Sequence, residues 1–126
     1  MHRDTLRLML EGRAPKGDVI AAARLAGVMA AKRTSEIVPL THTIPIDAVD
    51  VAFSPDRDTA SVGIEARVRT SARTGVEMEA LTAVMAAALT LYDMLKAVDR
   101  GMVMGEFALW EKRGGRSGTY RRKAGF

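Results

Sequence analysis

An uncharged run of thirteen residues, Ala80–Tyr92, is the feature that most limits how this chain can fold. Its sequence, ALTAVMAAALTLY, predicts a helix that is apolar on every side and must be buried, yet the run is too short to span a bilayer. Charged residues crowd both ends: Glu77 and Glu79 precede it, and Asp93 and Lys96 follow it. Charges beside a buried helix are costly to desolvate, so these four residues are candidates for chemistry rather than for solubility.

Length and composition predict one domain that spans residues 1–126. A chain of 126 residues is large enough for one modest core. Hydrophobic residues make up 48% but aromatic residues only 5%, so we expect a core of small aliphatic and methionine side chains. The chain has no Cys, which excludes a disulfide, a thiolate nucleophile and a sulfur-ligated metal. With no signal-like opening segment and no apolar run of membrane length, a cytoplasmic location is expected.

The net charge of +4 raises the question of an anionic partner. Much of the excess lies in Lys112, Arg113 and a basic, glycine-rich tail over residues 114–126. The tail is either a solvated terminus or a contact for phosphate or nucleic acid, and charge alone leaves these alternatives open. The scarcity of aromatic residues, on which single-stranded nucleic acid stacks, argues against a nucleic-acid partner.

Two further helices are predicted near the start of the chain. A short helical pattern covers Thr5–Glu11 and stops at Gly12, whereas Asp18 is a good N-cap for a longer helix that runs to about Lys32. Arg24 is the only charge inside the longer helix, so this helix is also expected to be nearly fully buried. Two such helices are more than a small sheet can cover, and we expect at least one to pack against another subunit, most simply by a twofold contact.

The remaining segments predict a loop and three strands. The loop is Pro39–Pro45, because its prolines exclude a regular helix. A strand over Ile46–Phe53 is followed by a turn that begins at Ser54, and Ala60–Thr70 alternates strictly between apolar and polar residues. A third strand is predicted over Met102–Lys112. Interspersed helices and strands indicate an α+β fold, an antiparallel sheet with helices packed on one face.

Asp93 and Lys96 are three residues apart and share one face of a helix. They form either an ordinary ion pair, which the spacing alone favours, or an acid and a base that shift each other's pKa and transfer protons. Glu77 and Glu79 are two apart, so they converge only if their segment is extended or still entering the helix. The alternative is one glutamate that complements the helix dipole and one that is solvated.

The length of the helix constrains any site that uses both of its ends. Fourteen residues separate Glu79 from Asp93, which corresponds to a rise of roughly 20 Å. One small pocket in one subunit does not reach both carboxylates. If both are functional, the site is shared between two chains.

His42 and three cations complete the candidate residues. His42 is the only histidine besides His2, and one loop histidine without Cys argues against a zinc site. Lys16, Lys112 and Arg116 lie beside glycines, where backbone N–H groups and cations together hold an anion. The GxxxxGK[ST] spacing of a P-loop is absent, so a flexible loop is the alternative here.

Several segments together resemble the cyclic pyranopterin monophosphate synthase family (MoaC) of molybdenum cofactor biosynthesis. The uncharged helix and its ends, TGVEMEALTAV and YDMLKAVD, carry the closest resemblance. Five further blocks occur in the family's order: Lys16–Val19, Arg24–Gly27, Ala30–Thr34, Ile37–His42 and Gly114–Gly118. Together the blocks cover most of the chain.

The resemblance implies a lyase that converts 3′,8-cyclo-7,8-dihydroguanosine 5′-triphosphate into cyclic pyranopterin monophosphate and diphosphate, without a cofactor or a metal. It implies a ferredoxin-like hexamer built from dimers, with sites at the dimer interface, a GTP-derived substrate and neither nucleic acid nor membrane as a partner. The implied catalytic residues are Asp93, Lys96 and Lys16. The implied substrate contacts are Leu40, Thr41, His42, Glu77, Met78, Glu79, Lys112 and Arg116.

The chain also departs from the family pattern. Thr41 and Thr43 stand where the family has Cys and Pro, and Arg116 stands where it has Lys. The family carries a segment before the position of Met1, with an arginine-bearing stretch that reaches the site, and we expect this segment to be either truncated or genuinely lost. The competing expectation is therefore a catalytically impaired oligomeric homologue that acts as a binding or structural protein.

Overall fold

The computed structural model describes residues 1–126 and places two long helices at the centre of the fold. The elements, in chain order, are α1 (Arg3–Leu10), α2 (Val19–Lys32), α3 (Thr34–Ile37), β1 (Ala48–Asp56), β2 (Ser61–Arg69), α4 (Glu77–Leu95), β3 (Glu111–Lys112) and β4 (Tyr120–Arg121). Helices α2 and α4 pack along each other, and each also packs against the β1–β2 hairpin. The predicted α+β class is confirmed, with antiparallel strands packed against helices.

The sequence signals for the first two helices are confirmed. Asp18 precedes α2, and its Oδ1 accepts a hydrogen bond from the backbone N–H of Ala21 at 3.0 Å, which is the predicted N-cap. Helix α1 lies within two residues of its predicted span, and Gly12 follows it with a φ of 70°. That left-handed conformation suits glycine and turns the chain from α1 into the loop that carries Lys16.

The strand predicted from strict alternation is also confirmed. Strand β2 has alternating burial along its length and pairs antiparallel with β1, so that Ala66 lies opposite Val51. Val62, Ile64 and Ala66 pack against the buried core, whereas the residues between them face away. One face of the hairpin is therefore covered by the helices.

The boundaries predicted for the first strand are wrong at both ends. The sequence predicts a strand over Ile46–Phe53, whereas β1 begins at Ala48 and ends at Asp56. Pro55 is part of the strand and lies opposite Val62 in the ladder. Proline is tolerated there because a two-stranded sheet leaves one side of each strand without a hydrogen-bonding neighbour. The turn expected from Ser54 starts at Asp56, whose carboxylate accepts hydrogen bonds from two backbone N–H groups of the turn.

The third predicted strand, Met102–Lys112, is wrong over most of its length. Only Glu111–Lys112 is paired, with Tyr120–Arg121. Glu106 has a φ of 60°, which no strand accepts, and Val103 is 90% exposed. A strand requires a pairing partner as well as an apolar composition, and this chain supplies none for residues 102–109.

The core is tightest where α2 meets α4. A Cβ atom on Gly27 would lie 3.1 Å from the carbonyl oxygen of Ala83 and 3.1 Å from Cγ2 of Val51. Ala23 and Ala87 are completely buried. Because these residues are small, the two helix backbones approach closely, and the distance between helices follows from the side chains at the contact.

The outer sides of α2 and α4 remain apolar and exposed, at Leu25, Met29, Met85 and Leu89. Within one chain each helix buries only one side, so the predicted burial of both helices would need the expected contact with another subunit, which stays a prediction. By length and composition alone α4 could cross a membrane, a test that core helices of soluble proteins also pass. Its packing along α2 and β2 is that of a core helix.

Gly27→Val is expected to destabilise the fold, because the added side chain meets a backbone carbonyl that moves only if the helices separate. We expect a loss of about 1–3 kcal/mol in the free energy of unfolding, measured by urea denaturation. Ala21→Val, on an exposed position of the same helix, is the control for a β-branched residue without that contact. Equal stability of the two variants would contradict the close approach.

Candidate active site at the two ends of helix α4

The charged residues that flank the uncharged run lie at opposite ends of α4. Because α4 is one continuous helix over Glu77–Leu95, Glu79 and Asp93 are separated by a rise of roughly 20 Å, as the sequence predicted. Each end has its own set of neighbours. We call these sets the carboxyl-end cluster (Lys16, Asp93 and Lys96) and the amino-end cluster (Glu77, Glu79, Lys112 and Ser117).

In the carboxyl-end cluster, one carboxylate lies between two ammonium groups. Nζ of Lys16 is 2.9 Å from Oδ2 of Asp93, and Nζ of Lys96 is 2.8 Å from Oδ1. All three side chains are about half exposed, so a ligand has access to them. Lys96 belongs to the same turn as Asp93, whereas Lys16 comes from the loop between α1 and α2. The fold therefore joins the three residues that were predicted to be catalytic.

The two lysines change the protonation of Asp93. The hydrogen bond from Lys16, and then that from Lys96, lowers the pKa of Asp93 to about 2, although partial burial opposes the shift. The carboxylate is therefore ionised at neutral pH. In this arrangement it accepts protons poorly, and any change that draws one lysine away makes it a stronger base.

In the amino-end cluster, Glu77 and Glu79 both lie in the first turn of α4 and have different surroundings. Glu77 faces Nζ of Lys112 at 3.5 Å, and Lys112 also donates a hydrogen bond to Ser117. The carboxylate of Glu77 folds back over Gly75, where a Cβ atom would overlap it. A side chain at position 75 would therefore require the carboxylate of Glu77 to move.

Glu79 is buried, with 5% of its surface exposed, and its Oε2 has no hydrogen-bond partner. Burial raises its pKa above the ordinary value, although a backbone hydrogen bond opposes the shift, and the nearby charge of Glu77 raises it further. Both glutamates lie where the chain enters the helix and not in an extended segment, and the charge of Glu77 is close enough to raise the pKa of Glu79. Neither glutamate is simply solvated, because Glu79 is buried and Glu77 is partly covered.

An open polar cleft of about 810 Å³ adjoins the amino-end cluster. It is lined by seven residues, none of them hydrophobic: Arg73, Thr74, Gly75, Lys112, Gly115, Arg116 and Ser117. Gly115 has a φ of 74°, which allows the loop to bend closely around Lys112. With three cations and two hydroxyls, the cleft has the chemistry of an anion site.

Of the seven lining residues, only Lys112 and Arg116 were predicted as contacts from the sequence. Arg73 and Ser117 flank the predicted residues, and they face the cleft only because the loop before α4 and the loop after β3 meet. A cation two residues before a conformationally free glycine was the available signal for Arg73.

Leu40, Thr41 and His42 follow α3 and make no hydrogen bond or ion pair with either cluster. Leu40 is fully exposed and has a φ of 65°, a rare conformation for a side chain of that size. The hydroxyl of Thr41 donates to the carbonyl of Val38, and His42 is exposed. Met78 is also exposed beside the amino-end cluster. The predicted contact loop is thus open to a ligand but not joined to the charged residues within one chain.

A carboxylate held between two lysines at one end of a core helix and a basic cleft at the other are typical of α+β enzymes that act on anionic small molecules. The chain belongs to the MoaC family, whose model matches residues 1–115.

Relatives with an assigned activity are similar over nearly the whole chain. The cyclic pyranopterin monophosphate synthase of Thermomicrobium roseum is 61% identical over 120 residues, which cover 95% of this chain and 72% of that protein. The synthase of Heliobacterium modesticaldum is 56% identical, covering 98% of this chain and 77% of that protein. Cyclic pyranopterin monophosphate synthase 1 of Mycobacterium tuberculosis is also 56% identical, with 98% and 72% covered.

Lys16→Met is expected to raise the pKa of Asp93 from about 2 toward the ordinary value of 3.8, because it removes the strongest hydrogen bond to the carboxylate. The measurement is an NMR titration of the Asp93 carboxyl carbon. Lys32→Met, at the exposed end of α2, is the control and should leave the titration unchanged. An unaltered Asp93 titration in Lys16→Met would rule out the contact in solution.

Proposed function

We propose that the protein synthesises cyclic pyranopterin monophosphate in molybdenum cofactor biosynthesis, as a lyase that acts on a GTP-derived triphosphate. Family membership and the relatives' shared activity carry the overall function. The structural observation that best supports it is the carboxyl-end cluster, in which Lys16 and Lys96 hold an ionised Asp93 at the surface of the core helix.

The proposed substrate is 3′,8-cyclo-7,8-dihydroguanosine 5′-triphosphate. Its purine-derived ring opens and recloses as a pterin, and a cyclic phosphate forms as diphosphate leaves. This chemistry requires proton transfers at ring nitrogens and neutralisation of charge on the triphosphate. The chain offers groups for both tasks at the two ends of α4.

Asp93 serves as the acid–base group, and Lys96 lies beside it. Lys16 determines whether Asp93 is a weak base, when the two are hydrogen-bonded, or a stronger base, when Lys16 has moved away. In the free protein both lysines stabilise the carboxylate and make it a weak base. A phosphate competes for Lys16, since ammonium groups bind phosphate oxygens. Withdrawal of Lys16 raises the proton affinity of Asp93 at the moment the substrate is bound. Proton transfer is thereby coupled to occupancy of the site.

The amino-end cluster recognises the rest of the substrate. Glu77 and Glu79 accept hydrogen bonds from N–H groups of the guanine-derived ring. The partly exposed carboxylate of Glu77 beside Lys112 supports this assignment, and the unpartnered, buried Oε2 of Glu79 takes part once that side chain turns toward the ligand. Lys112 and Arg116 bind phosphate in the cleft. Leu40, Thr41, His42 and Met78 close around the ring from the exposed loop and the start of α4.

The site is proposed to be shared between two chains. The roughly 20 Å between the two ends of α4 exceeds the reach of one small substrate. Antiparallel pairing of the exposed apolar sides of α2 and α4 would bring the carboxyl end of one α4 to the amino end of the other. We propose that such dimers build a hexamer of ferredoxin-like subunits, each one domain over residues 1–126, located in the cytoplasm.

Asp93→Asn tests the central assignment. It should retain fold and assembly but lower turnover by about 100-fold or more, because the amide neither accepts nor releases the proton. The assay follows substrate-dependent release of diphosphate. If the variant turns over nearly as fast as the original protein, Asp93 only forms a structural ion pair. If the original protein itself has no turnover, the result favours the catalytically impaired homologue.

Mixing two inactive variants tests the shared site. Asp93→Ala and Glu79→Ala should each be inactive alone, whereas co-refolding should recover about a quarter of the original activity, because half the dimers are mixed and each holds one intact pocket. The control is the double variant, which should recover nothing with Asp93→Ala or with Glu79→Ala. Mixed oligomers without recovered activity would contradict the shared site.

A further inference from the structure

A buried acid lies just beyond the active helix and takes no part in the site described above. Asp99 is 4% exposed, and its side chain is almost completely covered. It follows the carboxyl end of α4, where its backbone N–H donates to the carbonyl of Leu95 at 3.0 Å. Its backbone therefore belongs to the turn that ends α4.

The side chain of Asp99 connects that turn to a different helix. Its Oδ2 accepts a hydrogen bond from the backbone N–H of His2 at 2.8 Å and another from the hydroxyl of Thr5 at 3.0 Å. His2 is the N-cap residue of α1 but makes no capping hydrogen bond with its own side chain. Asp99 thus caps α1 from another part of the chain.

The hydrogen bonds keep Asp99 charged despite its burial. Burial alone would raise its pKa, but the hydrogen bonds from the backbone of His2 and the hydroxyl of Thr5, together with the nearby His2 side chain and the backbone N–H of Gly101, outweigh that effect and hold the pKa below the ordinary value. The buried, ionised carboxylate holds the N–H of His2 and the hydroxyl of Thr5 in place, because breaking either hydrogen bond would leave a buried polar group unpaired at a cost in free energy. The start of α1 is therefore firmly attached to the end of α4.

The attachment of α1 sets the position of Lys16. Leu6 and Met9 of α1 belong to the same buried cluster as Leu91 and Leu95 of α4, and the hydrogen bonds of Asp99 join the start of α1 to the turn after that helix. The chain leaves α1 through a turn and reaches Lys16 within six residues. Nζ of Lys16 then meets Asp93 near the carboxyl end of α4, the helix that Asp99 follows.

We propose that Asp99 is a positioning residue for the reaction, which anchors α1 to the end of α4 and thereby places Lys16 against Asp93. This role rests on one part of the proposed function, namely that the carboxyl-end cluster carries out the reaction. Asp99 does not touch the substrate. It affects turnover by setting the position of Lys16.

The test is a double-mutant cycle between Asp99 and Lys16. Asp99→Ala should lower kcat by about tenfold, because small misplacements of a reacting group are costly, with a smaller change in KM. In the Lys16→Met background the same change should have little further effect on kcat. Asp99→Asn, which keeps an oxygen acceptor for Thr5, should retain most of the activity.

A matched control separates positioning from general loss of stability. Ala30→Gly weakens α2 near its carboxyl end, outside the buried cluster that contains Leu6 and Met9 of α1, and its effect on kcat should be small and additive with Lys16→Met. If Asp99→Ala folds poorly, Thr5→Val removes one of the two hydrogen bonds and is tested in the same cycle. Additive losses of kcat in the double variants, or an unchanged kcat in Asp99→Ala, would overturn the proposal.

A second measurement does not depend on catalysis. In Asp99→Ala the pKa of Asp93 should rise, because Lys16 leaves the carboxylate, and carboxyl-carbon NMR detects this in a protein with no turnover at all. Ala30→Gly should leave that titration unchanged. An inactive original protein with a shifted titration would refute the proposed function alone, whereas an unshifted titration would refute the role of Asp99.

Discussion

The contact between α2 and α4 through small side chains is the interaction on which the rest of the molecule depends. Gly27 lies against the backbone of Ala83 and the side chain of Val51, so the two helices and the hairpin pack very closely together. Larger residues would separate the layers, and a chain this short has little further apolar surface with which to recover the loss. Because α2 begins beside Lys16 and crosses α4 near its middle, the same contact also sets how the candidate residues approach each other.

The electrostatics of the two ends of α4 are opposite. Asp93 lies among cations at the surface and its pKa is held at about 2, whereas Glu79 is buried without a partner for one oxygen and its pKa is raised. Two carboxylates of similar intrinsic acidity are thereby assigned different protonation behaviour, a pattern that enzymes use to divide acid and base roles. Both residues flank one uncharged helix, because the apolar interior of the fold leaves room for charge only at the ends of that helix.

Local chemistry made part of this structure predictable. The Asp18 cap and the alternation over Ala60–Thr70 each depend on neighbours in sequence, and both are confirmed. The strand expected over Met102–Lys112 fails because pairing is a tertiary property. In the candidate site, spacing on one helix predicted that Asp93 faces Lys96. Residue patterns alone did not predict that Lys16, 77 residues away, completes the cluster, or that Glu79 is buried. The family resemblance supplied the first of these.

The continuity of α4 has a consequence for how such a protein changes over evolutionary time. The helix fixes both the distance and the angle between its two charged ends, because each residue adds a rise of about 1.5 Å and a rotation of about 100°. Substitutions on its outer side leave both the length and the angle unchanged. A single insertion or deletion between Glu79 and Asp93 would rotate one end by more than a quarter turn relative to the other, and the proposed site would lose its alignment even if the core repacked. The proposed site therefore constrains the length of this segment more strictly than its composition.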